Sequence, residues 1–320
     1  MSITLRRRHL PALAAGMAVA GAGAARADWP EREIQLVVNY GAGGNTDVSA
    51  RAFSRGLERQ LGKPVVVVNR PGAEGTIGPA FVATQRPDGY TIGVVTYSTV
   101  AIQPHVRDVP YTIGSFDFVA GYGRFRYGVT VRADSPHRTL DDLVRAAKQG
   151  NGLFVGAPSA PNNLAMFELG RLTGGKFEQV QYRSGAETVT ALLGGQVDVI
   201  VQNPSDVVAQ IRAGQLRLLA SASPMRWQEF PDVPTMREAG YEVEIDSWLG
   251  IAVPRGTPRP VLERLEAASL AALRDPAVAE QIGATGVDPQ ALPGKEYEAL
   301  LARGAEQMGP ILRRAGMAKP

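Results

Sequence analysis

An α/β fold of two Rossmann-like halves around a cleft follows from three observations on the 320-residue sequence. Short β-branched runs alternate with longer amphipathic ones along most of the chain, which is the order of parallel strands covered by helices. The alternation breaks near Gly123–Val131 and then restarts, so one α/β unit follows another. The chain is long enough for two apolar cores, and it contains no cysteine to staple a small one.

In the first half, Ile34–Val38 reads as a strand. The helix after it places Ala50, Phe53, Leu57 and Leu61 on one face, and Gly62 with Pro64 stops it. Lys63–Asn69 (KPVVVVN) is a second strand, buried on both faces if it lies inside a parallel sheet. Pro71-Gly72 makes a turn, Ile77–Gln85 a helix, and Pro87-Asp88-Gly89 a turn into the strand Tyr90–Thr96. In the second half, helices are expected over Thr139–Gln149, Asn163–Leu172, Glu187–Leu193 and Ser205–Ala213. Strands are expected over Leu153–Gly156, Glu178–Tyr182, Val197–Gln202 and Leu216–Ala222. Beyond the irregular Pro224–Pro234 comes the strand Ser247–Pro254, followed by the helices Pro258–Asp275, Ala277–Ile282 and Pro293–Ala315. Extended crossings near Gly123–Val131 and Gly250–Pro254 divide the chain into a first domain of residues 28–125 plus 253–320 and a second of residues 126–252.

Residues 1–27 are set apart from both domains. Three arginines (Arg6, Arg7, Arg8), an apolar stretch from about Leu10 to Ala25, and Ala25-Arg26-Ala27 describe a secretory signal peptide cut after Ala27. A transmembrane helix is the competing reading, and the uncharged run falls short of the ~18–20 residues that spanning requires. Arg7-Arg8 also suits a twin-arginine signal, although a basic start serves either export route. Four of the 34 basic residues and none of the 31 acidic ones lie in this segment, which leaves 30 against 31. The net positive charge belongs to the leader, and composition gives no support to a nucleic-acid surface. Only His105 and His137 lie beyond the leader, so thiolate and histidine-cluster metal sites are not expected.

Ligands of open α/β sheets sit beyond the carboxyl ends of the strands. Those positions here are Tyr40–Asp47, Tyr97-Ser98-Thr99, Ala157–Asn163 (APSAPNN), Arg183-Ser184-Gly185 and Gln202-Asn203. They yield a candidate binding set of Tyr40, Gly43, Gly44, Asn45, Thr46, Asp47 and Ser98 on one side. Ala157, Pro158, Ser159, Asn162, Asn163, Ser184, Gln202 and Asn203 form the other. Arg183 is the only basic residue of these loops, whereas a phosphate site recruits lysine or arginine as well as amides. The set suits a small anion held by neutral donors and water. The GAGG turn at 41–44 is neither G-x-G-x-x-G, position 46 being threonine, nor a G-K-[ST] loop, so a nucleotide cofactor is not expected. Asp47 would repel an incoming carboxylate, and an aspartate opening a helix caps it, orients a water or meets an amine. Tyr40 and Trp248 are aromatics that either wall the cleft or belong to the core.

At this point the chain resembles a known family, the extracytoplasmic solute receptors of the tripartite tricarboxylate transporter system, also called the Bug family. WPEREIQLVVNYGAGGNTD at 29–47, NRPGAEGTIG at 69–78, RPDGYTIGV at 86–94, LLGGQVDVIVQN at 192–203 and FPDVPTMREAGYE at 230–242 follow the family's ordered blocks. The resemblance implies a periplasmic binding protein of type II-like fold, with no catalytic residues, cofactor or metal. It implies closure on a small carboxylate held by backbone amides and ordered waters from two facing loops. By motif match, Gly43 to Asp47 form one loop and Ala157 to Asn163 the other. The implied partners are the permease subunits in the membrane, with the receptor itself a monomer. Departures fall at the site: Asn39 stands where the family has proline, Asn163 near a histidine position, Ala191 for an aspartate, and Gln202 where an acid is common. Two other roles share this scaffold, a ligand sensor that feeds a signalling partner and an enzyme, which would need titratable groups beyond Asp47 and Arg183 in the cleft.

Overall fold

The computed structural model of the protein describes residues 29–182 and 184–319; the proposed leader and Arg183 lie outside the described residues. The chain opens as β1 (Ile34–Val38), α1 (Asn45–Leu61), β2 (Val65–Asn69), α2 (Ile77–Ala83) and β3 (Thr91–Thr96). A wide helical turn, Ser98–Ile102, then runs into α3 (Gln103–Val106). Two extended strands follow, β4 (Phe116–Phe125) and β5 (Gly128–Arg132). The second half continues as α4 (Leu140–Lys148), β6 (Leu153–Ala157), α5 (Ala160–Thr173), β7 (Phe177–Gln181), α6 (Gly185–Leu193), β8 (Val199–Gln202), α7 (Pro204–Arg212) and β9 (Leu216–Ser221). The chain ends with β10 (Ser247–Pro254), α8 (Arg259–Arg274), α9 (Pro276–Gly283), β11 (Val287–Pro293) and α10 (Gly294–Arg314).

These strands form two sheets, ordered β11-β4-β10-β3-β1-β2 and β7-β6-β8-β5-β9. The β-α-β repeats give the parallel pairs expected of them, β1 with β2 and β3, and β6 with β7 and β8. The strands at the crossings are antiparallel to their neighbours: β10 to β3 and β4, and β5 to β8 and β9. Both sheets are therefore mixed, because a strand that passes from one sheet to the other needs no helical return.

Local chemistry explains most element ends. The expected face of α1 is buried, with Ala50, Phe53 and Leu57 fully enclosed, and Phe53 stacks on Tyr122 of β4 at 4.9 Å between ring centres. Gly62 ends that helix in the left-handed region, φ +68°, with its N–H donated to Glu58 O. Thr139 and Asp142 close a capping box at the start of α4. α5 begins three residues earlier than the sequence suggested, since Pro161 in the first turn surrenders only an N–H that has no intrahelical acceptor there.

Three expectations change. β2 is an edge strand rather than one buried on both faces, and Val66 is 42% exposed. Residues 116–125, where only the stretch from Gly123 is expected to be extended, and 287–293, between two expected helices, are strands pairing with each other. The crossing expected at Gly250–Pro254 falls inside β10, where Gly250 sits between Val95 of β3 and Gly121 of β4 and has no route to the second sheet. The chain passes between sheets at Arg126-Tyr127, and again between Ile245, still bonded to Ala222 O, and Ser247, paired with Phe125.

Candidate functional site

The carboxyl end of β1 turns at Gly43, φ +82°, into an α1 whose N-cap, Gly44, brings no side chain to its free N–H groups. Asp47 lies behind this turn, 2% exposed. Its carboxylate accepts from the Gly43 N–H (2.9 Å), Arg51 Nε (3.0 Å) and Asn69 Nδ2 (2.8 Å), while Asn69 also donates to Tyr40 O (2.9 Å). Burial pushes the Asp47 carboxyl up, but the bonds from Arg51, Gly43 and Asn69 together with the Arg51 charge outweigh it and hold its pKa below the ordinary value. Asp47 thus braces the loop from within. Tyr40 reaches the opposite rim, donating to Glu74 O at 3.4 Å, and burial raises its phenol to about 12, so it is a neutral donor.

The facing wall comes from the second sheet. Ser159 is the N-cap of α5 and its hydroxyl bonds the Asn162 carboxamide, with no contact to the helix's own N–H groups. Asn162 donates to Val201 O (2.5 Å), and Gln202 donates to Thr188 Oγ1 (2.6 Å); both residues are nearly fully buried. This chain of amides locks the start of α5 to the end of β8 and to α6. Ser184 caps α6 by accepting from the Glu187 N–H (3.2 Å). Asn203, the N-cap of α7, donates instead to Arg126 O (2.7 Å) at the crossing. Asn45 ties the walls together, donating to Thr285 O (2.8 Å) and to Ser205 Oγ of α7 (3.2 Å).

Between the walls lies a cleft of about 440 Å³. Of the sequence-predicted residues, Tyr40, Gly43, Gly44, Asn45, Thr46 and Ser98 face it from one side. Pro158, Ser159, Asn162, Ser184, Gln202 and Asn203 face it from the other. Three do not. Asp47 is the brace, Ala157 is a fully buried β6 residue bonded to the Tyr182 N–H, and Asn163 is carried into the α5 interior by that helix's earlier start. Trp248 belongs to the core, with the Arg124 guanidinium 4.6 Å over its ring.

The cleft also contains residues absent from that set: Thr96, Phe125, Tyr127 and Ser247 on its floor, Pro161, Gly185 and Ala186 in helical first turns, and Asp206. Phe125, Tyr127 and Ser247 lie where the crossing strands pass between sheets, which the loop rule does not reach, and Thr96 is the last residue of β3, just before the chosen loop. Pro161, Gly185, Ala186 and Asp206 follow from asking which helix starts succeed the chosen strands. Four such starts, those of α1, α5, α6 and α7, meet at this one cleft. Those of α1, α5 and α6 present free N–H groups, whereas α7 offers chiefly its dipole, because Pro204 lacks an N–H and that of Asp206 bonds Asn203 O. All four present a positive dipole end, so the cleft can hold an anion without a fixed cation among the described residues. Among the described lining residues Asp206 is the only carboxylic or basic side chain.

A model of the family "tripartite tricarboxylate transporter family receptor" matches residues 49–317. The chain is 32% identical to the protein BugT of Bordetella pertussis over 298 residues, covering 90% of each. Among solved structures it is similar to a TctC solute-binding protein from Polaromonas, with 31% identity, a TM-score of 0.77, and 89% of this chain and 99% of that one covered. It is similar too to an R. palustris protein solved with adipate, with 28% identity, a TM-score of 0.82, and 91% and 99% covered.

Proposed function

The chain belongs to the tripartite tricarboxylate transporter receptor family, and on that premise we propose that it captures a small carboxylate between its two sheets and delivers it to the membrane subunits of such a transporter. The observation that carries this reading is the meeting of four helix N-termini at one cleft lined by hydroxyl, amide and backbone groups. An anion near one helix start gains about 0.3–1 kcal/mol when exposed and up to about 2 when partly buried. Several starts acting together suffice for a carboxylate without an arginine clamp. The R. palustris relative solved with adipate supports a carboxylate as the class of ligand.

The ligand bridges Gly43–Thr46 on one half and Ser159–Asn162 on the other, and closure follows because only the closed form makes both sets of contacts. Asp47 and Asn69 act from behind the first loop, while the bonds of Asn162 and Gln202 to Val201 and Thr188 fix the facing wall, so that little ordering remains at the moment of binding. The protein acts as an exported monomer, freed of residues 1–27, and performs no catalysis. No described lining residue is placed as a general base except Asp206, which has neither histidine nor serine hydroxyl bonded to it.

Thermal unfolding of the purified protein, freed of co-purified solute, tests this against a panel of mono-, di- and tricarboxylates. A carboxylate at 100 times its Kd should add about 2.7 kcal/mol and raise the midpoint saturably. If no carboxylate moves the midpoint, the receptor reading fails.

A further inference from the structure

Asp206 contributes its side chain to none of the bonds that fix the walls of the cleft. It stands in the first turn of α7, where an acid commonly reaches back to the N-cap N–H, yet no such bond forms. Among the described residues its carboxylate has neither a hydrogen-bond donor nor an ion-pair partner. Arg55 shares an outer groove with it, but the guanidinium of Arg55 bonds Gln281 Oε1 at 2.6 Å instead. The carboxylate lies against Gly185 at the start of α6, so close that a β-carbon there would stand 2.5 Å from Oδ2. Burial pushes its pKa up.

A half-buried carboxylate with no partner among the described residues, in the cleft of an anion receptor, is an electrostatic contradiction. It repels the carboxylate that the helix starts attract, and buried charges in native proteins are paired. The contradiction disappears if the ligand brings a positive charge of its own. Building on the carboxylate-receptor reading, we propose that Asp206 is a specificity-determining residue that receives an ammonium group, and that the preferred solutes are amino-bearing carboxylates. The carboxylate of the solute sits among the helix starts, and its ammonium turns toward Asp206 beside Gly185. Gln202 is consistent with this division of labour: standing where the family commonly has an acid, it is neutral and committed to Thr188, so Asp206 is the only acid among the described cleft residues.

The experiment is calorimetric titration of the purified protein with three matched pairs: succinate and aspartate, glutarate and glutamate, adipate and 2-aminoadipate. In at least one pair the amino member should bind tenfold or more tightly than its plain counterpart. Asp206→Asn should weaken the amino member and strengthen the plain one, since the same charge attracts the first and repels the second. A purely structural role would shift both in one direction. Gly185→Ala keeps the acid but displaces its carboxylate, and should also lower the ratio, which covers the case of an Asp206→Asn protein that does not fold. Plain acids that bind as tightly as their amino partners, or a ratio unchanged in both variants, would overturn the proposal and leave the receptor reading standing. Absence of binding by all six acids would overturn the proposal, and the receptor reading falls with it only if the mono- and tricarboxylates of the thermal panel fail as well.

Discussion

At the residue scale, neighbouring positions in the first loop carry quite different duties. Gly43 has φ +82° with open space where a side chain would go, while Gly44 has an ordinary φ of −74° and only Gly41 O nearby, at 3.4 Å. Gly43→Ala should therefore cost about 1–2 kcal/mol from backbone strain without any clash, and Gly44→Ala much less, as urea denaturation of the two variants would show. Asp47→Asn should cost about 1–3 kcal/mol, because the Gly43 N–H and the Arg51 guanidinium lose a charged acceptor. Its pH dependence has a definite sign. The folded pKa lies below the unfolded value of about 3.9, so this stabilisation is complete above that value and is lost as pH falls through the folded one. The gap between wild type and Asp47→Asn should accordingly be wide at neutral pH and narrow in acid. A gap that stays constant would show that the carboxylate's charge is not what braces the loop.

Elements show how far the sequence could be read. Strands followed by a helix were legible because a β-branched run, a small-residue turn and an amphipathic face appear in order, as in β1 to α1 and β8 to α7. β10 was legible to its ends, but its sheet was not. Its eight residues are all buried, and nothing in SWLGIAVP tells which sheet encloses it. β11 was missed because VDPQALP carries two prolines; it survives as an edge strand bulged between Pro289 and Leu292, where missing N–H groups are tolerated. β4 was missed through its glycines, Gly121 and Gly123, whose absent side chains make room for Tyr297 and Val287. The same close approach occurs at Gly250, where a β-carbon would collide with the Tyr297 ring and lie 2.6 Å from Ala120 O. Gly250→Ala should lower stability by about 3 kcal/mol, since backbone on one side and a fully buried ring on the other leave nothing to yield. A melting point within a degree or two of wild type would mean that α10 lifts away from the sheet at little cost. The site was legible where it is made of loops at strand ends, and illegible where crossing strands form its floor.

On the scale of the whole molecule, the two halves meet at Arg126. Its guanidinium makes a bidentate pair with Glu229 (2.7 and 3.0 Å) and donates to Gly286 O, and its carbonyl holds Asn203. Arg126→Met should destabilise the protein by about 3 kcal/mol, because Glu229 is left charged and largely enclosed. The receptor reading also requires a change of shape: small-angle scattering should record a smaller radius of gyration when a binding carboxylate is added, and an unchanged profile at saturation would remove hinge closure from the mechanism.

The strand order of the first sheet has a consequence for how the molecule comes into being. Its neighbours β3 and β4 are separated by β10, and β4 is flanked on its other side by β11, so both partners of β4 are the last strands to be synthesised. The second sheet, by contrast, uses only residues 128–221. While the polypeptide is still emerging from the ribosome, the later-coded sheet can be completed, whereas the earlier-coded one can pair only β1, β2 and β3, since β4 must wait for its partners. Pulse-labelled amides should be protected in β5, β6 and β8 before those of β4, and the nascent chain should remain threadable until β10 has arrived.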